Sequence, residues 1–578
     1  MKRSGAWLTR YALETIGVTH TFGIPGEHNT EIYHELDLSE KITPCIVTHE
    51  ASAAFMADAV SRTTDTIGTL IIVPASGVTH AASGIAEAFL DGIPMLIITG
   101  CVDSEPGHRY QHQAIDLPTL VAPITKASFR VKSLGDLVST IFEAYRTALD
   151  GVPGPVFIEI PINLQLSHEE TGELPTFKPT PTKSAIDDTV IAQAAQMLIQ
   201  AEHPGIFVGW GAKEATDIIQ SLASHLGAPV ATTLQGLSVF PANHPLHTGM
   251  GFGLSAVPAV QHAFEKCDCL LAVATCFSET STGNLSVTPP ENLIHLDIDS
   301  KVFNAHFPAA LSLQGDAANL LAALLKKVLE LQATPKESEE LAQQIAANKQ
   351  SYQSLWRKHK TDRVNPANFF DTLRKKLPEK TLVACDDGNH TMLAAELLPI
   401  NQTGGFICPT GFNAMGYCIP AVNALKLSHP SHTVVGIVGN GAMLMSGMET
   451  ITANKYDLGV IYFLFNDGEL GKIDQSEEIP NKRMTGTKQG EADWISFSHA
   501  MGCEYVAIED DSQLQPGLDT AFRLTLQDKP VVVDVYIDYS KHTAFMDGAL
   551  KTKYRRANRT TKARHLARAL TRKFIGSK

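Results

Sequence analysis

Two apolar, β-branched runs in the C-terminal half set the strongest limit on what this chain can fold into. Thr433-Val434-Val435-Gly436-Ile437-Val438 runs into Gly439-Asn440-Gly441, and Val460-Ile461-Tyr462-Phe463-Leu464-Phe465 runs into Asn466-Asp467-Gly468. Short runs of this kind, closed by Gly and Asn, read as strands buried on both faces of a parallel sheet. Residues 443–456 between them have helical composition, so the predicted unit is strand, turn, helix, strand. In open α/β sheets, ligands bind outside the carboxyl ends of the strands. Asn440 and Asn466 are therefore expected at the rim of a binding crevice. Two amide oxygens there, with backbone carbonyls and a helix N-terminus, suit a divalent cation and a diphosphate. Gly-Asn-Gly is also an ordinary tight turn, and the rest of the chain has to decide between the two.

The same rhythm recurs. A helix over 5–16 leads to strand-like runs at 19–23, 42–47, 69–73, 95–99 and 155–160, with helical stretches between. A polar, Pro/Thr-rich segment, 169–183, reads as a linker. A second α/β pattern runs over 187–332, with strands at 205–209, 270–274 and 293–299. The Lys/Glu/Gln-rich stretch 333–358 reads as an exposed helical connector, and a third α/β pattern follows. A chain of 578 residues is too long for one core, and about three domains is the natural number. The expectation is three consecutive α/β domains with mostly parallel sheets, at 1–170, 185–332 and 360–540, then a basic tail at 548–578. The first and third share a size and a βα rhythm, which suggests similar folds.

Charge is unevenly placed. The chain has 47 Lys/Arg and 61 Asp/Glu, for a net charge of −14. Eleven of those cations fall in 548–578, which has no acidic residue, so the remaining 36 face all 61 acids and the body carries −25. An acidic body argues against nucleic-acid binding. In the tail, Ala563, Leu566, Ala567, Leu570 and Phe574 fall on one helical face flanked by Lys562, Arg564, Arg568, Arg572 and Lys573. Such a helix suits weak peripheral contact with an anionic membrane, or packing back on the acidic body. No run of about twenty apolar residues predicts a membrane span, and the N-terminus enters a helical pattern without a signal-peptide core. Nine cysteines without metal spacing fit free thiols in a reducing cytoplasm.

Five further segments, in order, carry a resemblance. They are Phe22-Gly23-Ile24-Pro25-Gly26-Glu27; His49-Glu50 with Ala53-Ala54-Phe55-Met56-Ala57-Asp58-Ala59; Ala86-Glu87-Ala88-Phe89-Leu90-Asp91-Gly92-Ile93-Pro94; Asp386-Asp387-Gly388-Asn389-His390; and Thr410-Gly411-Phe412-Asn413-Ala414-Met415-Gly416. With Gly439-Asn440-Gly441 and Asn466, they resemble the thiamine-diphosphate enzymes of the acetolactate synthase and pyruvate decarboxylase group over residues 5 to 540. Middle segments such as Thr233-Leu234-Gln235-Gly236 and His295-Leu296-Asp297-Ile298-Asp299 are similar too. The resemblance implies pyrimidine-binding, middle and diphosphate-binding domains in that order.

It also implies roles. Glu50 would hydrogen-bond the aminopyrimidine ring so that the cofactor can lose its thiazolium proton. Met415 would be the apolar wedge that bends the cofactor, although its residue type is as consistent with plain core packing. The Asn413 carbonyl would accept from the aminopyrimidine at a position where relatives often have Gly. Gly26, Gly388, Asn389, His390, Gly439, Gly441 and Ala442 would contact the cofactor. Asn440, Asn466 and Gly468 would hold Mg²⁺. Asn440 stands where the family has Asp, keeping an oxygen but losing a charge, so weaker metal retention is expected. Glu50 and the diphosphate site come from different subunits in the family, which implies a homodimer or homotetramer.

The implied substrate is a 2-oxoacid, pyruvate first. Gln113 matches an active-site Gln of synthases, which favours carboligation. His112 replaces a synthase aromatic, and Glu27 follows Pro25-Gly26 where decarboxylases have an acid. Both favour simple decarboxylation to an aldehyde. A catalytically silent cofactor-binding homologue is the third reading, motivated by Asn440 and Asn413 and opposed by Glu50. FAD is not expected, because Phe277-Ser278-Glu279-Thr280 lacks the Arg that FAD-binding synthases carry in that turn.

Overall fold

The computed structural model describes residues 2–105, 107, 110–178, 187–477, 486–558 and 560–562. Among these residues, three six-stranded sheets are parallel throughout. The first sheet runs Thr43–Ile46, His20–Gly23, Gly68–Ile72, Met95–Cys101, Pro155–Pro161, Ala127–Arg130 from edge to edge. The third runs Phe406–Ile407, Thr381–Cys385, Thr433–Gly439, Ile461–Phe465, Val531–Val535, Glu504–Ile508. In chain order both read 2-1-3-4-6-5, so the shared rhythm of the two sequences corresponds to a shared topology. The middle sheet reads 3-2-1-4-5-6, an order found in doubly wound folds.

The apolar runs become strands because their residues are covered on both faces. Every residue of Ile461–Phe465 is buried, as is every residue of Val531–Val535. Thr433–Gly439 pairs with Ile461–Phe465 in a register that sets Gly439 against Phe465. Asn440 and Asn466 therefore leave the sheet side by side, at its carboxyl edge. The helix Asn440–Ser446 starts at that point.

The first and third domains are not merely adjacent. One apolar cluster contains Phe55, Met56, Ile85 and Ala88 from the first and Tyr417, Ile419, Val422 and Leu464 from the third. It forms where the helix Glu50–Thr63 packs between Ser76–Leu90 of its own domain and Cys418–Ser428 of the third. Inside it lies a charged network that needs both domains. Arg62 pairs with Asp58 at 2.6 Å and Asp91 at 2.7 Å, and the Tyr417 hydroxyl donates to Asp58 at 2.6 Å. A buried cation is tolerated there because two carboxylates face it.

Two sequence expectations change. The stretch read as an exposed connector forms the helix Glu339–Arg357, but Ile345 and Trp356 are buried in it, so it is anchored to the body. The start of the basic tail belongs to a second seated helix, Ala544–Arg556. A Cβ on its Gly548 would lie 2.3 Å from the Leu254 carbonyl, so this face packs directly on the middle domain. The predicted amphipathic face, Ala563 to Phe574, lies outside the described residues. Among the described residues no helix is long and apolar enough to cross a membrane.

Candidate active site

The carboxyl edge of the third sheet opens into a cavity. Gly388, Asn389, His390, Met415, Gly439, Asn440, Gly441 and Lys472 line it. These come from the segments after four strands that lie consecutively in the sheet, which is why they converge despite their separation in sequence. Close approach of backbone shapes it. A Cβ at Gly388 would sit 2.3 Å from the His390 ring, and one at Gly441 would sit 2.8 Å from Met415 Cε. Two buried polar atoms in the wall, Asn389 Nδ2 and His390 Nε2, have no hydrogen-bond partner. Unpaired buried polar atoms are costly unless a ligand satisfies them, and a diphosphate bound there would offer acceptor oxygens to Asn389. Burial, and next the Lys472 charge, push His390 down to about 3 and keep its ring neutral. The turn at Asp386–His390 thus fits a diphosphate.

The fit to a divalent cation is poorer. Asn440 keeps an oxygen, but Oδ1 accepts the backbone N–H groups of Asp467 at 2.9 Å and Gly468 at 3.2 Å. Its amide nitrogen donates to Asn466 Oδ1 at 2.8 Å. Turning the amide over would set NH₂ against two N–H donors, so the bonds around it fix its orientation. The Asp534 carboxyl lies close to the Asn466 amide and accepts the Tyr505 hydroxyl at 2.9 Å. The Gly468 carbonyl accepts from Gln489 N–H at 3.2 Å. The oxygen that was expected to face a metal is therefore committed to backbone, and the side facing Asn466 presents hydrogens. Asn466 and Gly468 do not line the cavity, and Ala442 is buried beneath it.

Two carboxylates hold the segment 410–418. Asp386 Oδ1 accepts from Gly416 N–H at 2.9 Å and Oδ2 from Cys418 N–H at 2.8 Å, which fixes the chain just after Met415, a residue of the cavity wall. Burial pushes the Asp386 carboxyl up to about 7. From the first domain, Glu87 receives four backbone N–H groups: Thr410 at 2.9 Å, Gly411 at 3.2 Å and Phe412 at 3.3 Å on Oε1, and Ala414 at 2.9 Å on Oε2. The loop so clamped carries Asn413 at φ +58°. Asn tolerates that left-handed conformation better than most residues, which reconciles it with a position where relatives often have Gly.

A second group assembles at the carboxyl edge of the first sheet. Glu50, at the first position of its helix, pairs with His80 at 3.0 Å, and the His49 and His80 rings stack at 4.8 Å. A Cβ at Gly77 would lie 3.6 Å from Glu50 Oε1 and 3.0 Å from Val73 Cγ2, while one at Gly26 would strike Val73 Cγ1 at 2.5 Å. Gln113 donates to Ser76 Oγ at 3.3 Å. Glu27 precedes His28, whose ring lies 6.2 Å from that of His112. Gly26, Glu27, Glu50, His112 and Gln113 thus follow strands of one sheet edge. None of them lines the third-domain cavity. The two halves of the site are built separately within one chain.

The thiamine pyrophosphate enzyme family matches in three parts: its N-terminal TPP-binding domain over 3–120, its central domain over 191–324 and its C-terminal TPP-binding domain over 386–535. The chain belongs to this family. Among curated proteins it is similar to the acetolactate synthase large subunit of Haemophilus influenzae, 30% identical over 94% of this chain and 96% of that protein. It is also similar to the isozyme 2 large subunit of Escherichia coli, 30% identical over 93% and 96%, and to the large subunit of Corynebacterium glutamicum, 28% identical over 93% and 87%. As a thiamine pyrophosphate enzyme it has its cofactor-binding segments on the first and third domains, which carry the two half-sites.

Four residues escaped sequence reasoning. Glu87 sits inside a quoted motif, but nothing local signals that its carboxylate caps a loop more than three hundred residues away. Glu449 accepts Thr48 N–H at 3.1 Å and so braces the turn before His49-Glu50 from the third domain. His80 is one helix away from Glu50 in sequence. Lys472 shows only as a cation after Gly471.

Proposed function

We propose that this enzyme uses thiamine diphosphate to decarboxylate a 2-oxoacid, pyruvate first, and to join the remaining two-carbon unit to a second 2-oxoacid, as an acetolactate synthase does. The observation that carries the reading is Gln113 bonded to Ser76, beside the Gly77–Glu50 contact, in a chain similar from end to end to acetolactate synthase large subunits. The bound cofactor supplies a nucleophilic carbon and an electron sink. Glu50 is assigned the aminopyrimidine proton, Met415 the fold of the cofactor, and Gly388, Asn389 and Gly439 the diphosphate. Mg²⁺ would be held weakly, because the oxygens left to it, Asn466 Oδ1 and the Gly468 carbonyl, already accept from Asn440 and Gln489. Asn440 would contribute little to it.

A homodimer at least is part of this reading, because Glu50 does not line the cavity of its own chain. Leu444, Met445, Met448 and Ile451, just past Asn440, are 40–62% exposed and offer the apolar surface a second copy would cover. The free cysteines support a reducing, cytoplasmic setting. Weak membrane contact through 548–578 is left to the residues beyond the seated helix.

The His28–His112 ring pair next to Glu27 favours a second reading, in which a proton is delivered and an aldehyde is released. Product analysis with pyruvate, thiamine diphosphate and Mg²⁺ separates the two. Acetolactate is expected. Acetaldehyde as sole organic product would replace carboligation by simple decarboxylation, and carbon dioxide from no 2-oxoacid would refute both.

A further inference from the structure

In the diphosphate cavity, the position after Gly439 carries a neutral amide whose oxygen is tied to backbone, as shown above. On the facing wall, Lys472 brings an ammonium into the cavity, pairing with Asp387 at 2.7 Å. Among the described lining residues it is the one strongly basic side chain, since His390 is neutral. Of the neighbouring acids, Glu469 lies 3.9 Å from Lys488. Asp387, the partner of Lys472, immediately precedes the Gly388-Asn389-His390 turn.

We propose that Lys472 is the protein-borne counter-charge for the cofactor's diphosphate, so that thiamine diphosphate is retained without a divalent cation. The inference rests on the proposed cofactor site and deepens it. An ammonium on a flexible stem exchanges a carboxylate partner for a phosphate oxygen by rotation about its own side-chain bonds. A carboxylate at 440 holding a divalent cation, beside the Lys472–Asp387 pair, would net one positive charge; an amide at 440 beside the same pair nets none. The Lys472 ammonium is then the positive charge left on the wall to face a diphosphate.

Calorimetric titration of the full-length, cofactor-stripped protein with thiamine diphosphate tests this, in EDTA and in millimolar Mg²⁺. The parent is expected to bind in both, with Kd differing little. Lys472→Met should weaken binding in EDTA by about tenfold or more, the loss of one charge-assisted contact, and by less in Mg²⁺. Lys472→Arg should restore it. Asn440→Asp should make binding depend on Mg²⁺. Circular dichroism confirms that each variant is folded. Parent binding only with Mg²⁺, or equal affinities of parent and Lys472→Met in EDTA, would overturn the role of Lys472 and leave the cofactor reading intact. No binding in either condition would refute the cofactor site and the inference with it.

Discussion

Removal of the Glu87 carboxylate should loosen the joint between the first and third domains. Glu87 is fully buried and receives backbone N–H groups from Thr410, Gly411, Phe412 and Ala414. Two of these bonds, at 2.9 Å, are short; two, at 3.2 and 3.3 Å, are long. Burial, and next the Asp91 charge, push the Glu87 carboxyl up to about 8, so the comparison is made at about pH 9, where it is ionised. If only the short pair counts in full, at about 1.5–3 kcal/mol per hydrogen bond to a charged group, Glu87→Ala costs about 3–6 kcal/mol. The residual cost of the long pair is offset by water entering the vacated volume. Glu87→Gln keeps an acceptor for the three donors on Oε1 but sets NH₂ against Ala414 N–H, so about 1–3 kcal/mol is expected. Urea unfolding, followed by circular dichroism at matched m, gives both values. The thiamine diphosphate Kd should rise with the same ranking, because the clamped loop carries Asn413 and Met415. If both variants stay within about 0.5 kcal/mol of the parent, as ordinary surface changes do, the clamp argument fails. It fails too if Ala costs no more than Gln.

Glu50→Gln should abolish turnover and leave thiamine diphosphate binding unchanged. Mixing Glu50→Gln chains with Gly441→Ala chains, whose added Cβ would crowd Met415 Cε at 2.8 Å, should recover activity through hybrid sites; recovery of none would place the whole site in one chain. His390 gives a pH signature. Its folded value of about 3 lies below the usual 6.5, so the unfolded chain binds more protons between those limits. Its contribution is complete above pH 6.5 and is lost as pH falls toward 3. Between pH 7 and 5, the parent should lose about 2 kcal/mol more unfolding free energy than His390→Gln; equal losses would show that the ring is not held neutral by burial.

Much of the fold was legible in the chain. The runs at 433–438 and 460–465 are buried strands because β-branched residues covered on both faces leave no alternation to hide. Asn440 and Asn466 lie side by side because each follows its strand directly. Glu50 opens its helix where the sequence places it. Those are local relations, set by residue type and by neighbours a few positions away, and a linear pattern records them. The buried side of the connector helix and of the first turns of the tail was not legible for the same reason. Polar composition marks a helix as largely solvated but does not reveal that Trp356, or the face around Gly548, meets a wall contributed from elsewhere.

The sequence by itself determined three α/β units, the strands of each sheet and the residue types available at each strand end. Tertiary structure decided which of those residues meet. The amide of Asn440 could face either way until the N–H groups of Asp467 and Gly468 fixed it. Lys472 is eighty-five positions from Asp387 and meets it only because the sheet order sets their turns at one carboxyl edge, a single strand apart. Glu87 and residues 410–414 find each other through a helix interface that buries both domains' apolar faces. Glu50 stays apart from the diphosphate cavity for the converse reason: the packing that joins the first and third domains of one chain directs their two half-sites to different places. Local pattern fixes what each edge can offer, whereas sheet order and domain packing act over hundreds of residues and fix what it is offered to.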